Sequence, residues 1–74
     1  MTILPKEDKK QIIQSRIRGL EYKKYTLDLD ILVENAKTAP ESESILNINN
    51  AIAEVNNQIA VLNTELETVE ALTE

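Results

Sequence analysis

The second half of the chain has the most regular pattern of apolar and polar residues. Written in sevens from Ile45, it reads ILNINNA, IAEVNNQ, IAVLNTE and LETVEAL. Apolar residues take the first and fourth places of every heptad, a repeat typical of a helix that packs along one stripe against another helix. The pattern predicts a coiled-coil helix. Its apolar stripe, here called the second-helix seam, consists of Ile45, Ile48, Ile52, Val55, Ile59, Leu62, Leu66 and Val69.

The first half of the chain carries a matching stripe. Its apolar members, separated by steps of four, three and seven residues, are Ile13, Ile17, Leu20, Leu27 and Ile31. Lys24 stands where one more apolar residue would complete the repeat. Two helices with complementary stripes can bury them against each other, so the sequence predicts a pair of packed helices.

A second apolar stripe begins at Tyr22 and continues to Ala36. Its four large residues, here called the outer face, are Tyr22, Tyr25, Leu29 and Leu32. At about 100° per residue this stripe lies nearly opposite the first one, and a helix that is apolar on two sides is usually buried on two sides. We therefore expect the outer face to receive a helix from a second chain.

One short segment, Thr38–Ser44, interrupts the helical pattern. Pro40 disfavours helical geometry in the residue before it, and Thr38 and Glu41 have the spacing of a capping box. The segment predicts a turn at about 38–41 between helices over about 5–37 and about 41–72. We expect one all-α domain over residues 1–74, folded as a two-helix antiparallel hairpin with heptad packing.

The charge distribution also favours an antiparallel arrangement. Residues 1–37 contain all eight basic residues and six acidic ones, whereas residues 38–74 contain seven Glu and no basic residue. In a hairpin, the basic start of the first helix lies beside the acidic end of the second, which contains Glu65, Glu67, Glu70 and Glu74. The same register places Lys24 near Glu54, and we expect these two to form an ion pair.

Chain length indicates that the hairpin is not the final assembly. The chain has 74 residues, and the core of so small a domain rarely gives more than about 3–5 kcal/mol. The chain has neither Cys nor His, which leaves oligomerisation as its means of further stabilisation. The β-branched residues Ile48, Val55 and Val69 at the fourth heptad places favour three or four helices around one core. We expect two hairpins to form a four-helix bundle.

Catalysis and metal binding are excluded by composition. Acid–base and nucleophilic catalysis mostly rely on His, Cys or a structured pocket, and a slender bundle offers none of these. Asp30 and Glu34 share one helix face, but without His they lack the ligand set of a carboxylate-bridged iron site. We expect them to be solvated charges, and we expect no enzymatic activity, no cofactor and no metal.

Two further classes of partner fit the sequence poorly. The basic residues point in many directions around the first helix and the net charge is −5, so we expect no nucleic-acid binding. The basic segment has no Trp or Phe, no apolar stretch approaches the length of a membrane span, and no secretory signal begins the chain, so we expect a soluble cytoplasmic protein.

The remaining interpretation is a non-enzymatic, self-associating hairpin with a structural, scaffold or assembly role. The layout resembles small helical-hairpin proteins in general, including phage-encoded structural and accessory proteins and subunit-clasping chaperones. The alternative is an adaptor or regulator whose outer face binds a helix of a different protein.

Overall fold

The computed structural model describes residues 4–73 of the chain, which form two helices. Helix α1 spans Lys6–Asn35 and helix α2 spans Ser42–Glu70. No strand occurs in this part of the chain, and the two helices pack against each other. The molecule is a rod of 57 × 20 × 14 Å. These observations confirm an all-α helical hairpin.

The beginning of α1 follows from the chemistry of Pro5. This residue lies just before the first helical residue, where its missing N–H has no hydrogen bond to lose. Its carbonyl oxygen accepts a hydrogen bond from the backbone N–H of Lys9 at 3.1 Å. Glu7 and Asp8 place negative charge in the first turn, where the partial positive charge of the helix terminus stabilises it.

The least exposed residues lie where the two helices meet. Val55 and Val69 of the second-helix seam are buried, and the other six members of that seam are half-buried. On α1, Ile13 is buried, and Lys24 is half-buried like the apolar residues that precede and follow it in the stripe. The side chain of Lys24 therefore occupies a position between the helices, and its four methylene groups take the place of an apolar residue there.

The chain ends of the hairpin lie side by side. Lys6 Nζ donates a hydrogen bond to the backbone carbonyl of Leu72 at 3.1 Å, which fixes the antiparallel direction. Glu74, one of the acidic residues expected opposite the basic start of α1, lies outside the described residues. The expected ion pair between Lys24 and Glu54 is absent from the part of the chain that the structure describes. Glu54 is exposed and points away from the interface between the helices, into which Lys24 extends.

Candidate interaction surface

The outer face is largely uncovered in the hairpin. Tyr22, Tyr25 and Leu32 are 65%, 64% and 65% exposed, and Leu29 is 41% exposed. All four belong to α1, and their steps of three and four residues keep their side chains on one side of that helix. Because α2 packs on the opposite side of α1, it leaves these four residues uncovered. The outer face is thus a continuous strip of apolar side chains in contact with solvent.

Two further large apolar residues, which we did not predict, are also exposed. Val33 is exposed and lies one helical turn beyond Leu29. Leu46 of α2 is also exposed, near the turn. Val33 could have been found from its i+4 spacing to Leu29. Leu46 could not, because it adjoins Ile45 in sequence and only the packed hairpin shows that it is left outside.

An Arg side chain partly covers one end of the outer face. The guanidinium carbon of Arg18 lies 5.6 Å from the centre of the Tyr22 ring. Contacts of this kind are worth about 0.5–1 kcal/mol at exposed sites, because the negative face of the ring attracts the cation. Arg18 is therefore available to pack on an aromatic ring while it keeps its charge in water.

The acidic side chain of Glu34 links the two helices at the turn. Glu34 Oε2 forms an ion pair with Lys37 Nζ at 2.7 Å, and Glu34 Oε1 accepts a hydrogen bond from the backbone N–H of Glu41 at 3.0 Å. Glu41 is the residue before the first turn of α2, so Glu34 satisfies a donor at the start of that helix. The expected capping box is not formed: Ser44 Oγ instead donates to Glu41 Oε2 at 3.0 Å.

These contacts shift the titration of both partners. The hydrogen bond from Lys37, together with that from the Glu41 backbone, lowers the pKa of Glu34 below its ordinary value of 4.5. The same hydrogen bond raises the pKa of Lys37 above its ordinary value of 10.5. The expectation that Glu34 is a solvated charge is wrong, since Glu34 is only 7% exposed. It lies on the same side of α1 as Leu27 and Ile31, which brings it against α2.

A shallow groove runs along one flank of the hairpin. It lies between Arg16, Gly19 and Leu20 of α1 and a stretch of α2 that includes Glu54 and Val61. A Cβ atom added at Gly19 would find no heavy atom within 4 Å apart from its immediate surroundings in α1. Val61 is 68% exposed although it is a large apolar residue. The residues that line this groove form an open surface with an apolar floor, here called the groove flank.

The second-helix seam, in contrast, is covered within the chain. Its residues face α1, and they are buried or half-buried. Their participation in contact with a second chain stays a prediction, as does that of the outer face. What distinguishes the two sets is exposure: an incoming helix meets the outer face directly, whereas it reaches the second-helix seam only at its half-covered edges.

The described residues offer little for metal chemistry. No three acidic side chains converge among residues 4–73 as they would to hold a metal ion. Within the same range, neither helix is long and apolar enough to cross a bilayer. Comparison of the chain with models of known families, with curated proteins and with solved structures finds no match.

Proposed function

We propose that this chain is a non-enzymatic, self-associating helical hairpin with a structural, scaffold or assembly role. The observation that carries the proposal is the exposed outer face. A second copy of the chain would cover Tyr22, Tyr25, Leu29 and Leu32 with the same four residues of its own α1. Two hairpins joined in this way bring four helices together in the order α2, α1, α1, α2, so that each α1 lies between two neighbours.

The accessible surface of the hairpin supports this proposal. It amounts to 5684 Å², whereas a folded monomer of 8.4 kDa typically exposes about 4,600 Å². The difference is comparable to the roughly 800 Å² that one partner loses in a protein–protein interface of standard size. Only three apolar residues, Ile13, Val55 and Val69, are buried among those described. A single hairpin therefore has an unusually small core and an unusually large surface.

Heptad packing within each hairpin is part of the same proposal. The alternation of three and four residues along the second-helix seam suits side chains that interdigitate with those of a facing helix. The buried and half-buried residues of α1 recur with the same spacing from Ile13 to Glu34. In the proposed bundle, this packing holds each hairpin together, and the outer faces join one hairpin to the next.

The experiment that tests the proposal is sedimentation equilibrium over a wide range of protein concentrations. We expect the wild-type chain to have an average mass of at least twice 8.4 kDa. Leu32→Lys should lower that mass, because the change replaces an apolar contact residue with a charge on both copies. Burying a Leu is worth about 1.5–3 kcal/mol, so its loss from both copies weakens association at least about a hundredfold.

Asn49→Lys provides a matched control, since it adds the same charge at an exposed position of α2. This variant should associate like the wild type. A wild-type chain that remains a folded monomer at every concentration would overturn self-association. That result would favour the adaptor function, in which the outer face receives a helix of a different protein.

A further inference from the structure

The groove flank contains an unusual residue for the middle of a helix. Gly19 lies near the centre of α1, where glycine weakens a helix relative to alanine. Within the hairpin, no neighbouring group occupies the space that a side chain at Gly19 would take. A Cβ atom there would meet no atom within 4 Å beyond its own helix. The space above Gly19 is also next to the exposed Val61. The fold of one hairpin therefore gives no reason for a glycine here.

Charge is arranged in two rows along the same flank. On α1, Arg16 lines the groove, and Lys23 lies seven residues later on the same side of the helix. On α2, Glu54 lines the groove. Glu65 lies on the same side of α2, because it follows the groove residue Gln58 by seven positions. None of these four charged residues forms an ion pair within the described chain. One edge of the groove is thus basic and the other acidic.

We propose that the groove flank is a second self-association surface, on which another copy of this chain docks groove to groove. The inference rests on the proposed self-association and adds a contact to it. The two hairpins lie with their long axes parallel, related by a twofold axis along that direction. This symmetry places α1 of each copy over α2 of the other at the same level of the rod.

Charge complementarity selects this arrangement over the other twofold docking of the same surfaces. Residues 16–20 of α1 lie alongside residues 54–62 of α2 in the groove, so the level of Lys23 is near that of Glu54. Under the proposed symmetry, Lys23 therefore faces Glu54 of the second copy. A twofold axis across the rod would place α1 over α1 and bring basic rows together. Like charges opposed in this way disfavour an interface.

Gly19 and Val61 complete the contact. At the same level of the rod, the open backbone at Gly19 faces Val61 of the second copy, and the reverse contact occurs on the other side of the axis. A glycine at this point lets a neighbouring helix approach closely. Because the groove flank and the outer face lie on different sides of α1, one chain can use both. Two different twofold contacts on one chain link copies of it into an assembly larger than a dimer.

Charge reversal and mixing test this proposal by sedimentation equilibrium. We expect Lys23→Glu alone and Glu54→Lys alone each to weaken the groove contact at least tenfold and to lower the mass of the assembly towards that of the dimer joined by the outer faces. An equimolar mixture of the two variants should restore the wild-type mass, because the carboxylate introduced in one variant then faces the ammonium group introduced in the other. Arg16→Glu mixed with Glu65→Lys repeats the measurement with an independent pair. Circular dichroism checks that the exposed substitutions leave helix content unchanged.

The outcomes separate this inference from the proposal on which it rests. If the singly reversed chains keep the wild-type mass, the groove flank is not an interface. If the mixture stays dissociated while the double variant Lys23→Glu/Glu54→Lys in one chain regains the wild-type mass, the charges pair within one hairpin and the inference is overturned. Gln14→Glu, an exposed change off the groove flank, should have no effect. A monomeric wild type would contradict self-association itself, whereas a chain sensitive to Leu32→Lys alone would contradict only the groove contact.

Discussion

The two helices pack against each other, yet they differ in how much of their apolar surface this contact covers. On α2, the apolar residues of the seam face α1, and the large apolar residues left exposed, Leu46 and Val61, stand apart from each other. On α1, a second set of large side chains, including Tyr22 and Leu32, faces solvent on the opposite side. The contact within the hairpin therefore covers most of the large apolar residues of α2, whereas α1 keeps a second apolar side that faces solvent.

This difference assigns separate tasks to the two surfaces of α1. Contacts on the inner side hold the hairpin together, since they contain the only apolar residues that are buried in the described chain. The outer side adds no buried apolar area to the isolated hairpin. Its apolar surface is buried only when a second chain binds. Substitutions on the inner side should thus change folding, and those on the outer side should change mass. The following predictions test that separation.

The largest effect is expected at Val55, which is 1% exposed between the helices. Val55→Asp would bury an unpaired carboxylate, and such changes cost about 4 kcal/mol or more, close to the whole stability of so small a domain. We expect loss of the helical signal in circular dichroism at about 25 °C, the temperature to which these energies refer. Ala53→Asp places the same residue at an exposed position of α2 and should leave the fold intact. A folded Val55→Asp variant would show that the inner contact is not what stabilises the hairpin.

A smaller effect of opposite sign is expected at Lys24. This side chain is half-buried between apolar residues and forms no ion pair in the described structure. Lys24→Leu should stabilise the hairpin by about 1–2 kcal/mol, because it adds buried apolar area between the helices. Thermal unfolding would measure the gain. Gln14→Leu adds the same side chain at an exposed position and should give little gain; equal gains at both sites would contradict the special position of Lys24.

The fold was predictable because it depends on periodicity. The heptads from Ile45 to Val69 and the break at Pro40 lead directly to two packed helices. The hairpin direction followed from the contrast between a mixed-charge first half and a second half with seven Glu and no basic residue. The heptad pattern and the charge contrast are properties of long segments, so a local irregularity such as Lys24 does not obscure them.

Contacts of single side chains were not predictable in the same way. Lys24 and Glu54, which we expected to form an ion pair, lie near the same level along the rod. The rotation of α2 about its own axis leaves Glu54 exposed to solvent instead. Glu34, expected in solvent with Asp30, instead bonds to the backbone of Glu41 across the turn. That bond depends on the path of the chain between Asn35 and Ser42, which no periodic pattern encodes. Contact of the outer face and of the second-helix seam with a second chain stays a prediction.

The Glu34 contacts predict a specific dependence of stability on pH. Because the pKa of Glu34 is lowered on folding, its contribution to stability is complete above its ordinary value of 4.5 and is lost as pH falls through the lower folded value. Glu34→Gln removes this contribution. The variant should therefore have a lower Tm than the wild type at neutral pH, and the two values should approach each other toward about pH 2.

Glu43→Gln is the control for this measurement, since Glu43 is an exposed carboxylate in the first turn of α2. On acidification, the Tm of Glu43→Gln should fall by nearly as much as that of the wild type, whereas the Tm of Glu34→Gln should fall by less. If the Tm of Glu34→Gln fell in parallel with that of the wild type on acidification, the bond between Glu34 and the start of α2 would not contribute to hairpin stability.

The smallest effect is expected at Gly19, and its sign distinguishes the hairpin from the assembly. With open space above Gly19, Gly19→Ala should stabilise the single hairpin by about 0.5–1 kcal/mol through helix propensity alone. Urea unfolding at a concentration where chains are dissociated would measure this gain, and Ala60→Gly at an exposed site of α2 should give a loss of similar size. At higher concentration, the same Gly19→Ala variant should associate more weakly than the wild type, because the added methyl group holds the second copy away. A variant that is more stable alone and weaker in association would show that this glycine serves the contact between hairpins and not the fold of a single hairpin.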